Sequence, residues 1–344
     1  MKKPLSILLL CTLILAPLSL AQSATLSHPQ VLASTSVDVP VWSVGNNWTY
    51  DINNITVDVE EENFTVHVHA AIEDFTMEVV GETTDYYLVH VKPTAITGDY
   101  AIYANLGDGP INVTGLLKKI VLEGTLQVAK ADLGIKRINL TIDGKLTITV
   151  HEQPYFPPLS HTFTFSTVID SSFIFGEPYR IIVFPLEVGN NWGIPANTVT
   201  LSGTIDSPWF KLVNFINQKV RQWHLIGPLA NLLQTDEASL QNISDILDDI
   251  LPTVDIAHVM NTYLSGNTIN TSEIPPILIC NDTEVVTVPA GTYTAYNITT
   301  LVGGGMIYYA PDAGYLIRMK GRFADALPFI NGINMELAST NYQP

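Results

Sequence analysis

The sequence predicts a mainly β protein with a helical insertion, built from curved antiparallel sheets. It predicts two related β modules, the second covered by helices. Three observations carry that expectation. Apolar and polar residues alternate with a period of two through most of residues 41–184. The pentapeptide Val44-Gly45-Asn46-Asn47-Trp48 recurs as Val188-Gly189-Asn190-Asn191-Trp192, 144 residues later. Five identical residues that include tryptophan point to an internal repeat. Residues 207–264 alone switch to a helical period.

The elements follow in order. Met1-Lys2-Lys3, an apolar run from Leu5 to Leu20 and the small residues Ser19 and Ala21 make residues 1–21 a signal peptide cleaved after Ala21. The run is short for a spanning helix, and no later apolar stretch reaches the ~20 residues that one needs. Residues 22–40, rich in Ser, Thr and Val with Pro29 and Pro40, read as an extended leader.

Residues 41–184 read as an antiparallel β domain. Ile120, Leu122, Leu126 and Val128 alternate with Val121, Glu123, Thr125 and Gln127, and Ile138 to Val150 keeps the same period. One apolar and one polar face per strand implies a sheet covered on one side. Asp143-Gly144 reads as a hairpin turn in its bulged three-residue form, which pairs Leu140 with Leu146.

Residues 185–344 read as a second β module, opened by a strand at Thr198–Ile205 and interrupted by the helical insertion at about 207–264. Ser207 is a suitable N-cap and Pro208 a suitable first-turn residue. Trp209, Leu212, Val213, Ile216, Val220 and Trp223 fall in one arc of about 100°, an amphipathic stripe. Further helices are expected at Pro228–Leu233, Ser239–Leu251 and Asp255–Leu264. Strands resume at Glu284–Val288, Tyr293–Thr299 and Met306–Tyr309, with Gly303-Gly304-Gly305 as a hairpin turn rather than a phosphate loop.

Composition narrows the function. Of 344 residues, 47% are hydrophobic, enough for a substantial core, and 14% are charged. The net charge of −17, from 33 acidic and 16 basic residues, argues against nucleic-acid binding, which needs clustered positive charge. Cys11 belongs to the signal peptide, so Cys280 would stand alone in the mature chain and no internal disulfide can form.

The strongest signal is a set of nine Asn-x-Ser/Thr sequons, at Asn47, Asn54, Asn63, Asn112, Asn139, Asn242, Asn270, Asn281 and Asn297. Chance predicts about 3 to 4 in a chain of this composition. Several alternate with apolar neighbours, as Asn139 does with Ile138 and Leu140, so each would project its sugar into water. Dense sequons without disulfides point to an archaeal-type cell surface.

Catalytic and metal chemistry find little support. His67 and His69 share one strand face, a spacing that metals use, but a third ligand (His90 or His151) must come from another strand. That face also carries the Asn63 sequon, so solvated histidines and no metal are expected. His151-Glu152 is followed by Pro154, which breaks the helix that an HExxH site needs. Asp58 with Glu60, Glu61 and Glu62 lacks EF-hand spacing.

Two segments carry a resemblance. Phe184-Pro185-Leu186-Glu187-Val188-Gly189-Asn190-Asn191-Trp192 is similar to the opening motif of a family of secreted bacterial and archaeal β-rich proteins. Val288-Pro289-Ala290-Gly291-Thr292-Tyr293 with Tyr296, and Tyr308-Tyr309-Ala310-Pro311-Asp312-Ala313-Gly314-Tyr315, resemble its closing motif. Over residues 184–320 the resemblance implies a half-barrel of the kind found in lipoprotein carriers, and it transfers no catalytic residue.

The resulting expectation is a secreted, N-glycosylated, non-catalytic cell-surface protein without cofactor. It would bind an apolar, lipid-like ligand or a cell-envelope partner. Trp209, Val213, Ile216, Val220 and Trp223 are the candidate lining of an apolar site. Two alternatives remain: a self-associating filament or surface-layer subunit that donates the 22–40 leader as a strand, and a hydrolase without a recognisable motif.

Overall fold

A computed structural model describes residues 36–61, 64–105, 110–151, 161–206, 265–270, 273–301, 304–323 and 330–344. The alternating pattern of the first half becomes six long strands. These are β1 (Asn47–Glu61), β2 (Phe64–Glu82), β3 (Tyr86–Asn105), β4 (Pro110–Ala129), β5 (Ile135–His151) and β6 (His161–Tyr179). Each runs antiparallel to the one before it. The second half gives β7 (Asn191–Ile194), β8 (Thr198–Asp206), β9 (Ser265–Asn270), β10 (Ile274–Val288), β11 (Gly291–Thr300) and β12 (Met306–Ala310). A single 3-10 turn at Pro311–Ala313 then leads to β13 (Tyr315–Gly321) and β14 (Ile330–Thr340).

All fourteen strands form one sheet, in the order β7-β10-β11-β12-β13-β14-β1-β2-β3-β4-β5-β6-β8-β9. The two ends of that order belong together. Ile194 on β7 faces Ile274 on β10, and Thr198 on β8 faces Asn270 on β9, four residues further along each strand. The register is the same on both sides of residues 195–197, so β7 with β8, and β9 with β10, each take one place in the sheet. Those three residues span at most about 14 Å. Since β8 also pairs with β6, with Val199 opposite Phe175, the sheet closes on itself as an up-and-down ring of twelve strands.

The inward face holds one contiguous core drawn from every part of the ring. Leu122, Ile138, Phe173 and Leu201 come from the first half and β8, and Ile298, Ile317 and Leu337 from the second. Loops complete the packing. Val37 exchanges both backbone hydrogen bonds with Leu186, and Trp42 and Leu186 are buried beside them. Trp42 Nε1 donates to Gly314 O at 3.0 Å and Trp48 Nε1 to Ala313 O at 2.7 Å, tying the first strand to the 3-10 turn. Tyr50 Oη donates to Leu316 O at 2.9 Å on the adjoining strand.

This architecture corrects the expected fold class. Among the described residues there is no α-helix, and the two β modules are not separate bodies with a helical cover. The buried apolar residues of both halves join in one contiguous cluster. The expected insertion at 207–264 lies outside the described residues, as do the expected signal peptide and residues 22–35 of the expected leader.

The turn expected at Asp143-Gly144 is also absent. β5 runs straight through it, with Asp143 opposite Val121 and Gly144 opposite Thr167. The glycine answers a bulge in β4, where the register shifts between Lys118 and Val121 and Lys119 takes φ 52°. A Cβ on Gly144 would sit 2.6 Å from Ile120 Cα. Close backbone approach, not chain reversal, selects glycine there.

Candidate functional site

Sheet geometry sorts the sequons. Asn47 precedes the buried Trp48, Asn54 the buried Ile55, and Asn139 lies between the buried Ile138 and Leu140. Asn112 pairs with the exposed Tyr103. Asn270 and Asn281 are exposed, and Asn297 precedes the buried Ile298. Asn47, Asn54, Asn139, Asn270, Asn281 and Asn297 therefore face away from the core; the side chain of Asn112, like Asn63 and Asn242, lies outside what is described.

The outward amides differ in how firmly they are held. Asn139 Nδ2 donates to Thr125 Oγ1 at 3.0 Å, while its Oδ1 accepts from Ser172 Oγ at 2.7 Å, a polar ladder across β4, β5 and β6. Asn281 Nδ2 donates to Thr299 Oγ1 at 2.6 Å. That hydroxyl belongs to the sequon of Asn297, so two neighbouring acceptor sites interlock. Asn297 Nδ2 donates to Glu284 Oε1 at 3.0 Å, and its Oδ1 is buried without a partner among the described residues. Beside it Tyr308 is buried, and burial followed by a hydrogen bond with Glu284 raises its phenol pKa.

Each histidine of this face has a carboxylate beside it. His67 Nδ1 lies 2.6 Å from Asp58 Oδ1 and His69 Nδ1 lies 3.8 Å from Asp99 Oδ2. His90 pairs with Glu123 at 3.3 Å. It stands nine residues from Asp99 along β3, about 30 Å away at strand rise, too far to join His67 and His69. The side chain of His151 is not described. Among the described residues no group of three His, Cys, Asp or Glu side chains is arranged to hold a metal ion. Solvated histidine–carboxylate pairs across neighbouring strands account for the face.

Among the described residues, a small enclosed space lies between the β4–β5 turn, the end of β6 and the start of β13, beside Leu133, Tyr179, Ile182, Phe184 and Leu316. At about 20 Å³ it admits one water-sized molecule and no lipid chain. Tyr179 Oη is buried there without a partner among the described residues. The proposed apolar lining, Trp209, Val213, Ile216, Val220 and Trp223, lies outside the described residues.

Cys280 is completely buried, and burial, reinforced by the charge of Asp282, pushes its thiol up to about 12. It stays protonated and behaves as a small hydrophobe rather than a nucleophile. Sequence reasoning left this residue without a role. Its signal was there in the repeat, because Cys280 faces the second Val-Gly-Asn-Asn-Trp turn from β10.

The segments that resemble the secreted β-rich family are turns and strand starts. Val288–Gly291 is the tip of the β10–β11 hairpin, and Gly314 ends the 3-10 turn at φ 66° with the Tyr342 ring packed over it. No family profile, curated protein or solved structure matches the chain.

Proposed function

We propose that the protein is a secreted, N-glycosylated, non-catalytic cell-surface protein that engages a component of the cell envelope. The observation that carries this reading is the placement of six sequon asparagines, each on the outward side of a strand whose inward side is core. Sugars there would cover the outer wall of the ring without disturbing its packing. The lone thiol is inert, and the histidines pair with carboxylates on the solvated face, which fits a binding role better than a catalytic one.

Intact mass of the natively produced protein tests the proposal. It is expected to exceed that of residues 22–344 by several glycans. A mass equal to the bare polypeptide would sink it.

The surface-layer alternative draws on one observation. Among the described residues β9 pairs only with β8, and strand addition at such an edge is the physical route to self-association. The described end of the leader is engaged within its own chain through Val37 and Leu186, so a donated strand would have to come from residues before it. Size-exclusion chromatography of the mature chain decides between the two: a concentration-independent monomer removes the subunit reading.

A further inference from the structure

The repeated pentapeptide is one structural device used twice. In the first copy Gly45 N donates to Val79 O at 2.7 Å and Val79 N to Asn46 O at 2.8 Å. In the second, Gly189 N donates to Cys280 O at 2.7 Å and Cys280 N to Asn190 O at 2.9 Å. Gly45 and Gly189 hold φ 96° and 93°, a conformation that favours glycine. The following residues pair alike: Asn47 with Glu78 and Trp48 with Met77, Asn191 with Ile279 and Trp192 with Leu278. The facing strand then bulges at the same step, between Val79 and Gly81 in one copy and between Cys280 and Asp282 in the other. Turn, register, burial and bulge coincide.

The spacing between the copies locates what was added. Trp48 and Trp192 are 144 residues apart, whereas Val79 and Cys280 are 201 apart. The difference of 57 matches, within one residue, the 58 residues between Asp206 at the end of β8 and Ser265 at the start of β9. At the equivalent place in the first copy, β1 ends at Glu61 and β2 begins at Phe64, with two residues between them.

We infer that the ring is a tandem duplication of one six-stranded meander, and that residues 207–264 are an insert in the second copy where the first has only a hairpin turn. The insert enters and leaves through neighbouring, hydrogen-bonded strands, Ser202 on β8 facing Ser265 on β9. The ring therefore closes without it, and whatever distinguishes the second copy from the first is separable from the scaffold.

Two experiments on the mature protein test this. A variant in which residues 207–264 give way to the Glu62-Asn63 dipeptide is expected to keep one cooperative urea transition and the near-ultraviolet circular dichroism of Trp42, Trp48 and Trp192. Independently, the full chain nicked by limited proteolysis within 207–264 is expected to remain a single particle with the same transition. Loss of the cooperative transition in the nicked chain would overturn the inference. Should only the shortened chain fail, the dipeptide join is at fault, and the nicked chain upholds the inference.

Discussion

Val79 and Cys280 occupy the same position in two copies of one turn, each fully buried and each bonded through both backbone groups to a Val-Gly-Asn-Asn-Trp loop. The equivalence states what the site requires, which is a small apolar side chain. Cys280→Val should therefore cost less than about 1.5 kcal/mol, the usual limit for a near-isosteric apolar exchange. Cys280→Asp should prevent folding, because it buries an unpaired charge. Urea unfolding checks both, and a Cys280→Val variant that fails to fold would refute the equivalence. The native thiol should also resist alkylation until the chain is unfolded.

The ring of Tyr100 on β3 lies over Gly115 on β4, and a Cβ on that glycine would meet the ring at 2.3 Å and Thr147 O at 2.1 Å. Tyr100 Oη crosses the gap and donates to Thr147 O at 3.1 Å. Aromatic cover over a strand glycine restores the packing that the glycine lacks. Gly115→Ala has backbone on one side and a held ring on the other, so it should cost about 2 kcal/mol or more. Tyr100→Phe loses only the hydrogen bond and should cost about 1 kcal/mol. The reverse order in thermal unfolding would show that the ring does not rest there.

Alkaline pH should unfold the protein. Burial raises the pKa of Tyr50 well above its ordinary value of 10.0, takes Tyr100 up to about 12, and raises Tyr179 and Tyr309 further. The unfolded chain releases these protons near pH 10 while the folded chain keeps them, so unfolding releases protons and stability falls as pH rises. Stability should hold up to about pH 9 and drop steeply through the window from 10 to 12. Phenolate absorbance and circular dichroism followed together test this; ionisation of all tyrosines at pH 10 without unfolding would contradict it.

Tyr179→Phe should be neutral or stabilising. The hydroxyl is buried without a partner among the described residues, and removing an unsatisfied polar group recovers its desolvation cost of about 1–3 kcal/mol. A clear fall in thermal midpoint would mean that the hydroxyl is bonded after all.

The first half of the fold was legible because its strands have one wet and one dry side, so Ile138 and Leu140 inside and Asn139 outside could be read directly. Closure was not. It depends on the pairing of β6 with β8 and of β1 with β14, contacts that join residues such as Trp48 and Thr340 from opposite ends of the chain, and no local period encodes them. Asp143-Gly144 misled because a glycine chosen for close strand approach looks the same in sequence as one chosen for a turn. The sequons were legible as a pattern, but their differing engagement was not, since Glu284 and Thr299 reach Asn297 and Asn281 only across strands.

That difference sets an order of glycan occupancy. Asn270 lies exposed on β9, and its Oδ1 accepts from Thr198 Oγ1 at 3.1 Å, which leaves the sugar-bearing nitrogen unengaged by that bond. Asn297 presents the opposite case: its nitrogen is committed to Glu284 and its oxygen is buried. A transferase acting on the folded ring would have to break that bond. Glycopeptide mass spectrometry should therefore find Asn270 more fully occupied than Asn297. Glu284→Ala should raise occupancy at Asn297 and leave Asn270 unchanged. Equal occupancy at both sites in the parent protein would mean that the sugars are attached before the strands pair, and the folded geometry would then have no say in which asparagines carry them.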